Sequence, residues 1–221
     1  MVISAIITAA GSGNRFGEIK QFKVLEGQPL YQYSLKVFLS VKIFDEIILV
    51  VPEGNQDIIK QEIKKISDKP VKIAIGGINR QDSVKNGIQA SSTNTDLVVI
   101  HDAVRPFVTK ELIESCISAC SCSDGAVIAV RPVDTIKYSK DHIIEKTIDR
   151  EFVWMAQTPQ VFNKAKLLKA YKNHNLDNYI ITDESSIMED MGYAITIVPG
   201  LENNFKITTI EDWNRAEMQL R

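Results

Sequence analysis

The stretch that decides the fold is residues 2–17, with the sequence VISAIITAAGSGNRFG. Residues 2–8 are an apolar run rich in isoleucine, which is typical of a buried β-strand. A glycine-rich segment, residues 9–17, follows it and contains Arg15, with Lys20 close behind. Glycines permit a sharp turn and expose backbone N–H groups, so this loop at the carboxyl end of a strand can bind phosphate.

Several interpretations compete for residues 9–17. A P-loop is excluded because Glu18 stands where that motif needs lysine. A dinucleotide fingerprint fits Gly11 and Gly13, but Phe16 replaces its third glycine, and the acid expected about 20 residues later is missing. A loop that holds a nucleoside triphosphate and a plain tight turn with solvated cations both remain open.

Apolar runs and helical patterns alternate along the chain, which predicts a mostly parallel sheet with helices on both faces. The predicted strands are residues 2–8, 46–51, 71–75, 97–101, 126–130 and 194–198. The predicted helices are residues 31–40, 56–66, 80–90, 110–120 (with Thr109 as N-cap), 164–173 and 183–191, and a last helix opened by a capping box at 208–211.

A change of pattern at residues 132–154 predicts an inserted arm. Two β-like pieces, 134–138 and 143–147, flank a polar turn. A lone hairpin cannot bury both faces, so a second copy of the chain is the expected packing partner. We expect one domain over residues 1–221, with a dimerisation arm at about 132–154.

Composition excludes several classes of protein. The 221 residues can bury a core without disulfides, and the net charge of −2 (26 Lys and Arg, 28 Asp and Glu) gives no general attraction to nucleic acid. The longest apolar stretch is too short for a membrane helix, and no secretory signal is expected. Three cysteines lack metal-ligand spacing and predict a reducing cytoplasm: Cys116, Cys120 and Cys122.

Two further strands end in polar motifs, GGINRQDSV at residues 76–84 and HDAVRP at 101–106. Carboxyl ends of parallel strands meet at one sheet edge, so both motifs should lie beside the glycine loop. Asp102 there suits a divalent cation or a sugar hydroxyl, although a structural ion pair with Arg105 explains it equally well. Packing alone does not explain three polar strand ends at one edge.

Eight motifs, distributed from one end of the chain to the other, together resemble the 2-C-methyl-D-erythritol 4-phosphate cytidylyltransferase family of the non-mevalonate isoprenoid pathway. They are AAGSGNRFG (9–17) with KQF (20–22), GGINRQDSVKNG (76–87), HDAVRPF (101–107), VDTIK (133–137), TIDR (147–150), QTPQVF (157–162), TDE (182–184) and NNFKIT (203–208). The resemblance implies a GT-A-like nucleotidyltransferase with a Rossmann-like α/β body, a mostly parallel twisted sheet and a protruding β-arm that dimerises it.

The resemblance also implies the site residues. The catalytic group is Arg15, Lys20, Arg150 and Lys206. The nucleotide-binding group is Ala9, Ala10, Gly11, Ser12, Gly13, Gly77, Ser83, Asp102 and Ala103. The acceptor-binding group is Asp102, Arg105, Thr135, Arg150 and Thr158, with Thr135 and Arg150 reaching the neighbouring subunit's site. Mg²⁺ or another divalent cation would accompany CTP near Asp102, and no tightly bound organic cofactor is expected.

The chain departs from the family pattern at two places. The segment between Arg15 and Lys20 is two residues shorter than usual and Ile19 replaces a proline, so Lys23 is the alternative to Lys20 as the catalytic cation. Ile78 stands where a polar or acidic residue is usual. Ribitol 5-phosphate is an alternative acceptor, and a nicotinamide-dependent dehydrogenase or a non-catalytic nucleotide sensor are alternative classes.

Overall fold

The computed structural model describes residues 1–11, 16, 19–173 and 183–221. The strands in these ranges are β1 (Ile3–Thr8), β2 (Val24–Leu25), β3 (Gln28–Pro29), β4 (Glu46–Val51), β5 (Val71–Ile75), β6 (Leu97–Asp102), β7 (Gly125–Val130), β8 (Ile136–Lys140), β9 (Ile143–Ile148), β10 (Met155–Asn163) and β11 (Ile195–Pro199). The α-helices are α1 (Leu30–Ser40), α2 (Gln56–Ile66), α3 (Arg80–Ala90), α4 (Lys110–Ala119), α5 (Lys164–Asn173), α6 (Glu184–Asp190) and α7 (Ile210–Leu220). Within these ranges, no helix combines the length and the apolar character needed to cross a bilayer.

The central sheet has the order β11-β7-β10-β6-β1-β4-β5. Neighbouring strands run parallel except at β10, which is antiparallel to both β6 and β7. The prediction of a mostly parallel α/β sheet is therefore confirmed. The carboxyl ends of β1, β4, β5 and β6 consequently meet at one edge.

Strand β10 is the longest strand that the sequence analysis missed, besides the two-residue strands β2 and β3. Its sequence, MAQTPQVFN, contains a proline and four polar residues, so it resembles neither an alternating strand nor an apolar run. Its pairing with β7 shifts register between Ala156 and Gln160. It is nevertheless buried between two strands, and Thr158 and Gln160 thereby become interior polar side chains.

The sheet separates two apolar core clusters. Side chains alternate along β1, so that Ile3, Ala5 and Ile7 join one cluster and Ile6 joins the other. The first cluster includes residues of α1, α2 and α4, and the second includes residues of α3, α5 and α6. Helices therefore cover both faces, as predicted.

A third, smaller cluster fixes the end of the chain beside the sheet edge. Trp213 of α7 packs with Phe16, Leu30 and Ile207, and the rings of Phe16 and Trp213 lie 5.6 Å apart. Ile207 is fully buried there. Its neighbour Lys206 is thus held close to the ends of β1 and β6.

Of the two helix caps predicted from the sequence, that of α4 is confirmed and that of α7 lies one residue later. Thr109 caps α4 as predicted, with its hydroxyl accepting a hydrogen bond from the Leu112 N–H at 3.3 Å. The last helix uses Thr209 and Asp212 rather than residues 208 and 211: Asp212 N–H donates to the Thr209 hydroxyl, and Thr209 N–H donates to the Asp212 carboxylate. Both pairs satisfy the same spacing, so the pattern could not choose between them.

The arm is a hairpin, as predicted, formed by β8 and β9 outside the central sheet. Asp141 and His142 form its turn with positive φ angles of 50° and 64°. Three apolar side chains on it are exposed, namely Tyr138, Ile143 and Ile144. That a second copy covers them stays a prediction.

Gly87 of α3 lies directly over the sheet, and we expect Gly87→Ala to destabilise the protein by about 1–2 kcal/mol. A Cβ there would come within 2.5 Å of Ile6 Cγ2 and 3.0 Å of Val50 Cγ2. The higher helix propensity of alanine offsets only about 1 kcal/mol of the overpacking. Urea unfolding measures the change, with Gln89→Ala on the exposed face of α3 as the control. Unchanged or increased stability in Gly87→Ala would mean that α3 can move off the sheet at no cost.

Candidate active site

A cleft of about 580 Å³ lies at the carboxyl ends of β1, β5 and β6, as the polar strand ends predicted. We call it the strand-end cleft. Its lining includes eight predicted site residues: Ala9, Ala10, Gly11, Lys20, Gly77, Ser83, Asp102 and Lys206. Three others, Ser12, Gly13 and Arg15, lie outside the described residues. The roles of all of them stay predictions.

The floor of the cleft is the backbone that follows β1. Ala9 N–H donates to the Val50 carbonyl at 2.7 Å, and the Gln21 side-chain amide donates to the carbonyls of Ala9 and Gly11 at 2.9 and 2.7 Å. Gly76 after β5 approaches so closely that a Cβ on it would lie 2.2 Å from Ala10 Cβ. The two strand ends therefore meet only because residue 76 is glycine.

The two lysines that follow the glycine loop occupy different surroundings. Lys20 lies in a 3₁₀ turn, is 8% exposed and lines the cleft, with its ammonium 5.8 Å from the Phe16 ring centre. Lys23 does not line the cleft, and its ammonium lies 5.2 Å from the Phe16 ring centre and 5.0 Å from that of Trp213. The geometry therefore favours Lys20 over Lys23 as the cation that faces a ligand.

The start of α3 forms a rigid rim on the other side of the cleft. Gly77 N–H donates to the Ser83 hydroxyl at 3.1 Å, which itself donates to the Asn79 carbonyl at 3.2 Å. Asn79 and Asp82 form a capping box. Ile78, which lies between Gly77 and Asn79, is 99% exposed and lines the cleft. The Ser83 hydroxyl thus shapes this rim.

Asp102 is the centre of an ion-pair cluster. Its Oδ1 accepts from Arg80 Nε at 3.2 Å and its Oδ2 from Lys206 Nζ at 2.8 Å, while Arg105 Nε lies 3.7 Å from Oδ2. Burial would raise the pKa of Asp102, but these three cations hold it well below its usual range. Arg80 also contacts both carboxylate oxygens of the buried Glu184, at 3.0 and 2.7 Å.

Arg80 and Glu184 are the site residues that the sequence analysis missed. Both fall inside motifs that it quoted, but they are 104 positions apart. No local spacing relates them. A charged residue in the first turn of α3 and an acid following the N-cap of α6 are each ordinary on a solvent-exposed helix, so only the fold reveals the pair.

His101 and Thr158 fix the backbone beside Asp102. The carbonyl of Arg105, 3.3 Å from His101 Nε2, can only accept, so Nε2 carries the proton. Nδ1 then accepts from the Thr158 hydroxyl at 3.0 Å, and that hydroxyl accepts from the Asp102 N–H at 3.0 Å. The predicted acceptor residue Thr158 therefore has its hydroxyl engaged in support of Asp102.

As the pH falls from 6 to 5, we expect the free energy of unfolding to decrease by about 1.2 kcal/mol because of His101. Burial lowers the pKa of His101 to about 3 from its usual 6.5. In this window the unfolded chain binds a proton at His101 and the folded chain does not, so stability is lost as pH falls. Urea unfolding of His101→Asn should show a flatter pH slope, whereas His142→Asn in the exposed arm turn should not. Equal slopes in all three proteins would contradict the assignment.

Ala103 and Arg105 are two predicted site residues that do not line the strand-end cleft. Ala103 is fully buried, with its N–H donating to the Thr8 carbonyl at 3.1 Å, and it does not line the cleft. Its predicted contact with a nucleotide is therefore not available in this conformation. Arg105 lines a smaller adjoining cavity of about 200 Å³ together with Thr158, and its Nη1 donates to the Asn204 carbonyl at 3.0 Å.

Thr135 and Arg150 lie on the arm and do not line the strand-end cleft of their own chain. Both are exposed, and Arg150 donates to the Val133 carbonyl and lines a separate surface hollow at the base of the arm. One chain therefore does not bring these two residues together with Lys20, Asp102 and Lys206. That a second chain completes the site stays a prediction.

The residues around Asp102 do not provide a resident metal site. Both of its oxygens are engaged by cations, and within the described part of the chain no cluster of three His, Cys, Asp or Glu side chains could hold an ion. Mg²⁺ commonly relies on substrate phosphates for part of its coordination. This donor set therefore suits an ion that arrives on a polyphosphate rather than one held by the protein alone.

A mostly parallel sheet with a cleft at its carboxyl edge, lined by Lys20 and Lys206, defines a nucleotide-binding α/β protein. Residues 3–221 match the family model described as "IspD: 2-C-methyl-D-erythritol 4-phosphate cytidylyltransferase". The chain belongs to this family, which confirms the resemblance drawn from the sequence motifs.

Named relatives agree with the family model. The 2-C-methyl-D-erythritol 4-phosphate cytidylyltransferase of Syntrophus aciditrophicus (strain SB) is 39% identical over 225 residues, covering 99% of this chain and 96% of that protein. The bifunctional enzyme IspD/IspF of Desulfotalea psychrophila is 40% identical over 221 residues, and this chain spans 56% of its length. The crystal structure of 4-diphosphocytidyl-2C-methyl-D-erythritol synthase from Anaerococcus prevotii DSM 20548 superposes with a TM-score of 0.89 at 34% identity, covering 99% of this chain and 98% of that one.

Proposed function

We propose that the protein transfers the cytidylyl group of CTP to 2-C-methyl-D-erythritol 4-phosphate, giving 4-diphosphocytidyl-2-C-methyl-D-erythritol and pyrophosphate for isoprenoid biosynthesis. The observation that carries this proposal is the strand-end cleft, which joins the backbone of residues 9–11 to Lys20 and Lys206. The cleft, at about 580 Å³, is large enough for a nucleotide. Membership of the family supplies the substrate class.

The chemistry needs charge neutralisation more than acid–base catalysis. A phosphate oxygen of the acceptor attacks the α-phosphorus in line, a new P–O bond forms, and the bond to the bridging oxygen of the β-phosphate breaks. The nucleophile is already an anion, so no general base is needed. Two polyanions must approach each other, and fixed cations such as Lys20 and Lys206 stabilise the charge that develops on the phosphates.

Mg²⁺ or another divalent cation belongs to the nucleotide complex in this proposal. Three cations surround Asp102, so in this proposal its carboxylate is not a ligand of the metal. It orients Lys206 and accepts hydrogen bonds from sugar hydroxyls. Arg15 would join the cations of the glycine loop, as the sequence motif suggests. No tightly bound organic cofactor takes part.

The working form that we propose is a homodimer in which each arm reaches the other chain's cleft. Two observations support this arrangement: apolar side chains of the arm hairpin are exposed, and Arg150 does not line the strand-end cleft of its own chain. We further propose a single domain with this arm, acting in the cytoplasm, where the three free thiols would remain reduced.

Pyrophosphate release with Mg-CTP, measured against a panel of sugar-alcohol phosphates, tests the proposal. We expect release with 2-C-methyl-D-erythritol 4-phosphate and little with ribitol 5-phosphate. Preference for ribitol 5-phosphate would show that the protein is a ribitol 5-phosphate cytidylyltransferase instead. Enhanced NADH fluorescence without CTP turnover would instead favour a dehydrogenase, and CTP binding without turnover a nucleotide sensor.

A further inference from the structure

Four side chains of alternating charge form a continuous chain from the interior to the strand-end cleft. Glu184 contacts Arg80 at 2.7 Å, Arg80 contacts Asp102 at 3.2 Å, and Asp102 contacts Lys206 at 2.8 Å. Side-chain exposure is 0% at Glu184 and 32% at Lys206. The chain therefore has one end fixed in the core and the other at the ligand surface.

The buried end is anchored by more than one contact. Glu184 is fully buried at the start of α6, where the Tyr171 hydroxyl donates to its Oε1 at 3.2 Å and Arg80 Nη1 reaches both oxygens. A buried carboxylate without its cation would be strongly unfavourable. Glu184 thus holds the Arg80 guanidinium in one orientation from the interior of the protein.

Lys206, at the exposed end, needs an anchor for its side chain because only its backbone is otherwise fixed. Ile207 N–H donates to the Val104 carbonyl at 2.9 Å, which places the backbone next to Lys206 against the end of β6. The lysine side chain still has four rotatable bonds, and ordering them costs conformational entropy. The described contact that directs its ammonium is the pair with Asp102.

We propose that Glu184 and Arg80 are positioning residues that fix Asp102, and through it the Lys206 ammonium, for the reaction. The proposal rests on the proposed function, since it concerns the same cleft. Glu184 is fully buried and does not line the cleft, so it can act only through Arg80; Arg80 lines the cleft and acts through Asp102. Arg80 can span two carboxylates because its guanidinium donates in several directions from one plane, whereas a lysine in its place could not hold both in this geometry.

Glu184→Gln tests the anchor while keeping its size and a hydrogen-bond acceptor. We expect kcat to fall about tenfold with the KM for CTP changed less than about twofold, because Lys206 then samples unproductive orientations. Arg80→Lys keeps the positive charge at residue 80 and leaves Glu184 unchanged, and it should likewise lower kcat with little change in the KM for CTP. Tyr171→Phe removes a neighbouring hydrogen bond but leaves all the ion pairs, so its kcat should stay near that of the wild type.

A double-mutant cycle separates positioning from general weakening of the fold. If Glu184 acts through Lys206, then Glu184→Gln should have almost no further effect on kcat in a Lys206→Ala background. Thermal unfolding and calorimetric CTP binding verify that each variant is folded and still binds nucleotide. Arg80→Lys remains available if Glu184→Gln does not fold.

The outcomes distinguish the two proposals. Additive losses of kcat in the cycle, or wild-type kcat in both Glu184→Gln and Arg80→Lys, would overturn the positioning role alone. A wild-type protein that releases no pyrophosphate from CTP with any acceptor would overturn the proposed function and this inference with it.

Discussion

Replacing Lys20 with alanine should lower turnover by on the order of 10²–10³ while leaving the fold intact. Lys20 lines the strand-end cleft beside the backbone of Ala9 to Gly11, where a triphosphate would place its negative charge. The charge on the α-phosphate and the leaving group grows in the transition state, so a fixed cation there stabilises that state more than the bound substrates. Steady-state pyrophosphate release measures the loss, and thermal unfolding verifies the fold.

Lys23→Ala is the matched comparison for Lys20→Ala, because the two lysines are three positions apart and carry the same charge. Lys23 packs against the rings of Phe16 and Trp213 outside the cleft, so its removal should affect stability more than turnover. If instead Lys23→Ala lost turnover and Lys20→Ala kept it, the shortened segment after Arg15 would have transferred the catalytic role to Lys23.

The strand ends of this site could be predicted because each consists of a local pattern. An apolar run followed at once by glycines or by Asp102 marks the carboxyl end of a buried strand, and parallel pairing then brings such ends together. The roles of Lys20 and Lys206 came from the family resemblance, because a lysine in a polar segment has no distinguishing local pattern. The structure adds that both line one cleft.

The remaining parts of the site could not be predicted because they depend on long-range packing. Strand β10 is buried because it lies between β6 and β7, although its sequence is polar and contains Pro159. The pairing of Arg80 with Glu184 depends on α3 and α6 both packing against the same face of the sheet. Ala103 was expected at the ligand surface, but the chain turns inward there, and Asp102 and Val104 line the cleft instead.

Arg150→Ala should also lower turnover by on the order of 10²–10³, and mixing it with Lys20→Ala subunits should restore activity. The loss is expected because an arginine can bind the acceptor phosphate with two charge-assisted hydrogen bonds. Recovery is expected because Arg150 would serve the neighbouring cleft. In a mixed dimer, the intact cleft of the Arg150→Ala subunit then faces the intact arm of the Lys20→Ala subunit. Random mixing should therefore give about a quarter of wild-type activity, since half of the dimers are mixed and each has one complete site.

The control for this experiment is a mixture of Lys20→Ala with Lys206→Ala, in which both lesions lie in the cleft. Every site in that mixture carries a defective cleft, so no recovery is expected whatever the arm does. Recovery in the first mixture but not in the second would require the arm to act on the partner's site. If neither mixture recovered although mixed dimers had formed, Arg150 would have to serve its own chain, and the arm would have to fold back toward the cleft from the position seen here.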